Sequence, residues 1–197
     1  MALYDLFMTP LEKRGLRRLR KKLIPSATGS VLEIGPGTGL NLPYYVPEKI
    51  SSLVMIDREL NRRVLNKKLR KYPDLNPELI EENVMDLPYG DGSFDTVVFT
   101  LVFCTVTDAT KGLKEIKRVL KEGGRIIFIE HIRPEREPLA KTFDILTPLW
   151  KKVAKGCHLN RKTVDQLKSL GFQLELEEKL LNNIFIGGTG SFKKTAH

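Results

Sequence analysis

Apolar residues along the chain fall into short runs that alternate with longer amphipathic stretches. Five runs have the length and the β-branched or aliphatic content of buried strands: 30–34, 51–56, 79–84, 96–99 and 126–131. Five stretches predict helices: 2–24, 38–45, 59–71, 107–120 and 163–170. Two further strands, 172–178 and 183–191, are predicted to form a closing hairpin. Strands that alternate with helices favour an α/β fold built on a doubly wound sheet.

The first strand runs into a turn in which Gly35, Gly37 and Gly39 stand at alternate positions. Glycine tolerates positive φ and lets a ligand approach backbone atoms that a Cβ would shield. A dinucleotide-binding turn has its third glycine three residues after the second, and here that position holds Leu40. The turn therefore predicts a cradle for a nucleotide-like ligand that is not a dinucleotide.

Acidic residues stand at the ends of the first two strands. Glu33 lies just before the glycine turn, and Asp57 follows the second strand, twenty residues after Gly37. A carboxylate at the end of this strand can accept hydrogen bonds from both hydroxyls of a ribose. For Arg58 two positions stay open, one beside an adenine ring and one on the solvated surface.

Two stretches resemble the class I S-adenosylmethionine (SAM) methyltransferases. Residues 33–39 are similar to motif I of that family, and Asp86-Leu87-Pro88-Tyr89 followed by Asp91-Gly92-Ser93-Phe94-Asp95 resembles its acidic-Leu-Pro-aromatic and Asp-x-Ser-Phe-Asp signature. Residues 121–131 are similar to the segment that leads into and forms the fifth strand. The resemblance implies a Rossmann-like, seven-stranded, mostly parallel sheet of order 3-2-1-4-5-7-6, with helices on both faces and a C-terminal antiparallel hairpin.

The same resemblance implies SAM as the cofactor and S-adenosylhomocysteine as its product. Glu33 is expected to hold the amine of the methionine end, directly or through water, and Asn83 to accept from the adenine amino group. Asp86 is the alternative to Asn83 if the register is shifted. The full set of expected cofactor contacts is Glu33, Gly35, Pro36, Gly37, Gly39, Asn41, Asp57, Arg58, Asn83, Val84, Met85 and Thr100.

Length and composition describe one domain. The 197 residues, 41% of them hydrophobic, suit a single methyltransferase domain over 1–197. We divide it into a basic helix or lid (2–24), a SAM-binding core (31–131), a substrate-side cap (132–162) and a C-terminal helix and hairpin (163–197). No apolar run reaches the roughly 18 residues of a membrane span, so a cytoplasmic location is expected. Cys104 and Cys157 lack metal-ligand spacing, so no metal is expected, and Cys104 is predicted to be a small buried residue.

The net charge of +9 is concentrated near the N-terminus, where residues 11–22 carry seven bases and one acid. A basic amphipathic helix predicts peripheral contact with the inner face of an anionic membrane. The alternatives are a lid whose apolar face covers the ligand pocket and a plain solvated helix face. Nucleic acid is not the expected partner, because no Asn/Asp-Pro-Pro-aromatic motif follows the fourth strand.

The methyl acceptor is expected to be a small molecule or a lipid. Residues 143–161 resemble a subgroup that contains phospholipid N-methyltransferase-like proteins and membrane-associated thiol methyltransferases. The sequence therefore favours a lipid amine such as phosphatidylethanolamine, and next a hydrophobic thiol or a quinone-like acceptor. A SAM-binding membrane- or RNA-associated module without turnover is the alternative of another class. The candidate catalytic residues are Tyr4, which by resemblance covers the methyl group, and the possible bases His131, Asp144 and His158.

Overall fold

The structure, a computed structural model, describes residues 12–154, 156–181 and 183–192. Its strands are β1 (Gly29–Ile34), β2 (Ile50–Asp57), β3 (Glu78–Glu81), β4 (Phe94–Thr100), β5 (Leu120–His131), β6 (Gln173–Leu180) and β7 (Phe185–Ser191). Its α-helices are α1 (Arg17–Leu23), α2 (Arg62–Leu69), α3 (Ala109–Val119), α4 (Glu137–Val153) and α5 (Thr163–Ser169). A π-helical turn, Glu12–Leu16, leads into α1.

The strands form one seven-stranded sheet of order β3-β2-β1-β4-β5-β7-β6. Strands β1 to β5 pair in parallel, whereas β7 runs antiparallel to both β5 and β6. The predicted order and the closing hairpin are confirmed. Because the parallel strands share a direction, the residues that follow β1, β2, β3 and β4 meet at one edge of the sheet.

Side chains alternate between the two faces of the sheet, and each face has its own apolar core. In β1, Leu32 and Ile34 pack with the α3 and α5 side, whereas Val31 packs with α1 on the other side. Glu33 points to the same face as Val31 by the two-residue period of a strand. Helix α1 therefore covers the face of the sheet into which Glu33 projects.

The apolar side of α1 is part of the protein core. Leu16, Leu19 and Leu23 are buried in it. The helix lies close to β7, because a Cβ on Gly187 would meet Cδ1 of Leu23 at 2.9 Å. In the described part of 2–24, the leucines thus pack on the sheet. Tyr4 and the rest of 2–11 lie outside the described residues.

Three predicted elements differ in the structure. The helix expected over 38–45 is wrong: the segment forms turns and a 3-10 turn, Leu42–Tyr44. Gly39 has φ +70° and Pro43 has no N–H to donate, so an α-helix is not supported there. The third strand ends at Glu81, which places Asn83 in the following turn. Helix α3 ends at Val119, and Gly123 and Gly124 belong to the irregular start of β5.

The cap segment 132–162 contains the longest helix that the structure describes, α4. The C-terminal end of α4 packs against the loop after β4, where Trp150 and Ala154 meet Cys104 and Cys157. The end of α4 and the residues that follow it thus reach the carboxyl ends of β4 and β5.

Candidate active site

The glycine turn after β1 has the open backbone that the sequence predicted. Gly35 and Gly37 adopt positive φ, and so does Gly39. A Cβ on Gly35 would lie 2.5 Å from Val102, whereas one on Gly37 would meet nothing within 4 Å. Gly35 is therefore required by its own protein neighbours, and Gly37 leaves free space in front of the turn. The carbonyl of Pro36 accepts from the Gly39 N–H at 2.8 Å and closes the turn.

Glu33 is a buried carboxylate held on both of its oxygens. The Asn41 amide donates to Oε1 at 2.8 Å, and the Tyr45 hydroxyl donates to Oε2 at 2.9 Å. Burial raises the pKa of Glu33, and burial followed by the charge of Glu33 raises the pKa of Tyr45 well above its usual value. These contacts explain why the 38–45 segment folds back on the strand. The expected contact of Glu33 with the SAM amine stays a prediction.

Arg20 brings a positive charge from α1 into this group. Its side chain is 3% exposed, and its Nη1 donates to Oδ1 of Asn41 at 2.5 Å and to Oγ1 of Thr100 at 2.9 Å. Nη2 donates to Glu12 at 3.0 Å. A buried guanidinium at the edge of the sheet suits the carboxylate at the methionine end of SAM. In the sequence Arg20 is one of the seven bases of residues 11–22, and its buried position was not predicted.

Asp57 lies next to the glycine turn, as predicted. The Gly35 N–H donates to the carbonyl of Ile56 at 2.8 Å, which ties the turn to the end of β2. Burial raises the pKa of the Asp57 carboxyl, and its Oδ1 accepts from the Glu59 N–H at 3.2 Å. Arg58 is exposed, which agrees with the solvated alternative for this residue.

Asn83, the residue expected to contact the adenine, lies in the turn after β3. Oδ1 of Asn83 accepts from the Met85 N–H at 3.0 Å, and its carbonyl accepts from the Asp86 N–H at 2.9 Å. The Met85 N–H is therefore already hydrogen-bonded within the turn. Of the expected adenine contacts, the Asn83 side chain and the Val84 N–H remain candidates. The backbone N–H of Glu82 donates to the backbone carbonyl of Asp57 at 3.1 Å, so this turn adjoins the end of β2.

The residues present fit SAM. The free space in front of Gly37 admits a ligand without a clash, a buried cation stands near one end of the turn, and a half-buried carboxylate stands at the other. Arg20, Asn41 and Thr100 would face the methionine end. Asp57 would face the ribose and Asn83 the adenine.

Glu130 organises the loop after β4, where the acceptor is expected. Its Oε1 accepts from the N–H groups of Val102 and Phe103, at 2.9 and 3.1 Å. Burial raises its pKa to about 7. Sequence reasoning read Glu130 only as part of the strand.

His131 lies beside two thiols instead of standing free at the end of β5. Its Nε2 is 3.0 Å from Sγ of Cys157, and Cys104 is buried next to both, as the sequence predicted for Cys104. The hydrogen bond with Cys157, followed by burial, raises the pKa of Cys104 well above its usual value. The hydrogen bond from Cys104, and also that from His131, lowers the pKa of Cys157.

The other two candidate bases differ in their surroundings. Asp144 accepts from Arg133 at 2.9 Å and from Asn160 at 3.0 Å, and these two partners lower its pKa, which makes it a weak base. His158 is half-buried, and its Nδ1 lies 3.1 Å from the carbonyl oxygen of Cys104. Burial lowers the pKa of His158. The structure therefore favours His158 over Asp144 as a proton acceptor.

The missed residue Arg20 has a signal in the sequence. Leu16, Leu19, Arg20 and Leu23 follow the spacing of one helix face. An arginine in an apolar stripe must reach a buried partner, because an unpaired buried charge is costly. The helical period therefore separates Arg20 from its exposed neighbours.

Comparisons with known proteins agree with this geometry. Residues 32–128 match the family model described as "Methyltransferase domain". The chain is 31% identical to human thiol S-methyltransferase TMT1B over 188 residues, which is 87% of this chain and 75% of the human protein. The rat TMT1B match is 35% identical over 155 residues, covering 75% of this chain and 62% of the rat protein, which is less than two thirds of its length.

A second group of relatives has a different named activity. The ubiquinone/menaquinone biosynthesis C-methyltransferase UbiE of Vibrio campbellii is 32% identical over 195 residues, which is 89% of this chain and 73% of that protein. Among solved structures, the YcgJ protein of Bacillus subtilis has a TM-score of 0.71 at 15% identity and covers 91% of this chain and 98% of its own. The YcgJ match concerns the fold alone. The chain therefore belongs to the class I SAM-dependent methyltransferases.

Proposed function

We propose that this methyltransferase acts on the thiol group of a small hydrophobic molecule. The relatives TMT1B of human and rat are named thiol S-methyltransferases, and the human match extends over most of this chain, including the cap segment. The sequence placed a lipid amine first and a thiol second. The relatives reported above are named for a thiol and for quinone biosynthesis, which supports reversing that order.

The observation that carries the proposal is the hydrogen bond of His158. Its Nδ1 faces the carbonyl oxygen of Cys104, which accepts only, so the neutral ring carries its hydrogen on Nδ1. Nε2 is then the nitrogen with a lone pair. The backbone N–H of His158 donates to the same carbonyl at 2.7 Å and fixes the residue beside the loop after β4.

An imidazole is a better match for a thiol than for an amine. Ordinary pKa values are about 6.5 for imidazole, about 8.5 for a thiol and about 10.4 for an alkylammonium group. With these ordinary values, moving a proton to imidazole is uphill by about two pKa units from a thiol and by about four from an ammonium group. Burial lowers the pKa of His158 and widens both gaps by the same amount, so the thiol stays the easier donor. A neutral histidine at the acceptor side favours the thiol.

The chain's own residues would divide the work between holding the cofactor and preparing the acceptor. Arg20, the glycine turn, Asp57 and Asn83 would hold SAM, and His158 would accept the thiol proton on Nε2. SAM, when bound, supplies a methyl group on a positively charged sulfur, which needs no further activation. Orientation of the two partners then provides much of the rate.

We further propose that the enzyme works at the surface of an anionic membrane. On α4, Ile145, Leu149 and Val153 are 78%, 65% and 66% exposed and stand one turn apart. Lys141, Lys151 and Lys152 on the same helix are exposed. An apolar row with lysines beside it suits the boundary between acyl chains and anionic headgroups. Within the described residues, no helix has the length and apolar content to cross a bilayer.

The test offers three acceptors to the same enzyme with labelled SAM: an alkyl thiol, vesicles containing phosphatidylethanolamine, and a hydroxyquinol as the quinone-like acceptor. We expect a labelled thioether from the first. His158→Gln should slow thiol methylation at pH 7 by about 10²- to 10⁴-fold, which is the usual contribution of a general base, with SAM affinity unchanged. Asp144→Asn is the matched control and should keep most of the activity. Label only in phosphatidylethanolamine or only in the quinol would overturn the thiol assignment.

A further inference from the structure

Both cysteines of the chain lie in one buried cluster with His131. Cys104 follows β4, His131 ends β5, and Cys157 follows α4, so three separate parts of the chain converge. The side chains are 2%, 7% and 5% exposed. Such convergence places two sulfurs and one imidazole nitrogen in a single small volume at the edge of the sheet that carries the active site.

The three side chains satisfy each other only in part. Sγ of Cys104 lies 3.6 Å from the carbonyl oxygen of Leu101 and within 4.8 Å of Sγ of Cys157. His131 turns Nε2 toward Cys157, while its Nδ1 is buried and has no hydrogen-bond partner among the described residues. Nε2 and the two sulfurs are therefore the atoms of the cluster that face one another.

The distances in the cluster bracket those of a tetrahedral zinc site. The ligand atoms all lie within 4.8 Å of one another, and Nε2 of His131 is 3.0 Å from Sγ of Cys157. Bond lengths of about 2.3 Å to sulfur and about 2.0 Å to nitrogen place tetrahedral ligand atoms roughly 3.5 to 3.8 Å apart. Side-chain movements below about 1 Å would bring the three atoms to these separations.

We propose that Cys104, His131 and Cys157 bind a zinc ion. Sulfur and imidazole ligands in a tetrahedral arrangement are the set that zinc prefers. Two thiolates balance the charge of the ion, so the buried site becomes neutral. The expectation of no metal from the sequence rested on residue spacing, which does not show that distant segments meet.

The site has the ligand number of a catalytic zinc site. Among the described residues, no fourth cysteine, histidine or carboxylate joins the group. Structural zinc sites have four protein ligands, whereas catalytic ones have three and leave a position for water or substrate. The fourth position is therefore assigned to the acceptor thiol, an extension that rests on the proposed function. On binding, the S–H bond breaks, a bond from sulfur to zinc forms, and the proton passes to the surrounding water or to His158.

The first experiment uses the full chain, reduced and freed of metal, and titrates it with Co²⁺ as a spectroscopic substitute for Zn²⁺. We expect one equivalent to produce an intense thiolate-to-cobalt band, which Zn²⁺ then removes. A folded, SAM-binding wild type with no such band would overturn the metal site. A disulfide between the two cysteines that persists under reductant would overturn it as well.

Variants identify the ligands. Cys104→Ser, Cys157→Ser and His131→Gln should each weaken Co²⁺ binding by at least 100-fold while SAM binding, measured by calorimetry, shows that the fold is kept. His158→Gln is the matched histidine control and should bind Co²⁺ as the wild type does. Loss of binding in His158→Gln with retention in His131→Gln would show that the ligand set is wrong.

Adding an alkyl thiol to the cobalt-loaded chain tests the fourth position. A new or shifted sulfur-to-cobalt band supports coordination of the acceptor, and an unchanged spectrum overturns that part of the proposal. The outcomes separate the two ideas. Cobalt binding without thiol methylation would count against the proposed function, and thiol methylation by a chain that binds no metal would count against the zinc site.

Discussion

Arg20 is the residue whose position changes the interpretation of the N-terminal segment most. Its guanidinium is buried and bonded to Asn41, Thr100 and Glu12, while Arg17, on the same helix, is exposed. The same residue type in one short helix thus has two environments, one buried beside the candidate cofactor site and one at the surface.

Replacing Arg20 should weaken cofactor binding. Hydrogen bonds to charged groups contribute about 1.5 to 3 kcal/mol, so Arg20→Met is expected to lower SAM affinity by roughly 10- to 100-fold. Arg17→Met, the control on the exposed side, should bind SAM normally. Calorimetric titration of both variants makes the comparison. Equal affinity in the two would remove Arg20 from the site.

Substitutions at Gly37 and Gly39 can distinguish an effect on fold stability from an effect on SAM binding. Both have positive φ, where a residue with a Cβ costs about 1 to 2 kcal/mol. A Cβ on Gly39 would also lie 2.7 Å from Leu42, whereas one on Gly37 meets no protein atom within 4 Å.

Gly37→Ala should therefore remain folded and lose SAM affinity, because its methyl group fills the space in front of the turn. Gly39→Ala should lose more stability in urea unfolding. If Gly37→Ala binds SAM like the wild type, the cofactor does not approach the turn from this side.

At the scale of the element, Asp95, the last residue of the Asp-x-Ser-Phe-Asp motif, has a structural role. Asp95 accepts from the Lys121 ammonium at 2.8 and 2.9 Å and from the Ser30 N–H at 2.8 Å. It thereby joins the starts of β1, β4 and β5. The hydrogen bond from Lys121, and next that from Ser30, lowers the pKa of Asp95.

The lowered pKa predicts how Asp95 affects stability with pH. An acid whose pKa is lower in the folded state stabilises the fold above its unfolded value of about 3.9, and this stabilisation is lost as the pH falls through the folded value. Asp95→Asn should therefore be less stable than the wild type at pH 7, and the difference should shrink toward pH 3. The side chain is 39% exposed, so we expect less than about 1 kcal/mol.

Asp91→Asn provides the control from the same motif, because Asp91 is 71% exposed and pairs with Arg118 only at the surface. Urea unfolding at both pH values measures the two variants. A difference for Asp95→Asn that stays constant from pH 7 to pH 3 would contradict the assigned ion pair.

The elements that the sequence predicted poorly are those set by specific side-chain contacts. The 38–45 segment was predicted as a helix, but Gly39 and Pro43 disfavour one, and the bonds of Asn41 and Tyr45 to Glu33 hold the segment as turns. The cap helix α4 was not predicted as a helix, although Ile145, Leu149 and Val153 have helical spacing; Pro148 lies inside the helix and interrupts the pattern. Strands β1, β2, β4 and β5, by contrast, are continuous apolar runs whose burial leaves little choice.

At the scale of the whole molecule, the sheet order and the meeting of the glycine turn with Asp57 at one edge could be predicted, whereas the arrangement on the acceptor side could not. Asp57 and the glycine turn depend on strand ends, which apolar runs locate well. His131, Cys104 and Cys157 are brought together by the cap, and no local pattern shows which segments of the cap meet the sheet.

The exposed face of α4 leads to a prediction for the whole enzyme on vesicles. Replacing Ile145, Leu149 and Val153 by Gln keeps good helix formers and removes the apolar row. We expect binding to anionic vesicles to weaken at least tenfold in co-sedimentation, because each side chain loses favourable burial.

The control replaces Arg17, Arg18 and Lys21 by Gln. If this variant loses vesicle binding and the α4 variant does not, the basic helix is the contact and the proposed face is wrong. Normal binding by both variants would exclude both surfaces.

The bond between Arg20 and the cofactor site has a further consequence for α1. Binding equilibria that share one segment are reciprocal: whatever holds α1 in place raises the affinity for SAM by the same factor as SAM raises the hold on α1. A charged surface that engages the exposed bases of α1 would therefore act as an allosteric activator of cofactor retention. SAM would then be retained longer where that surface is present than in free solution.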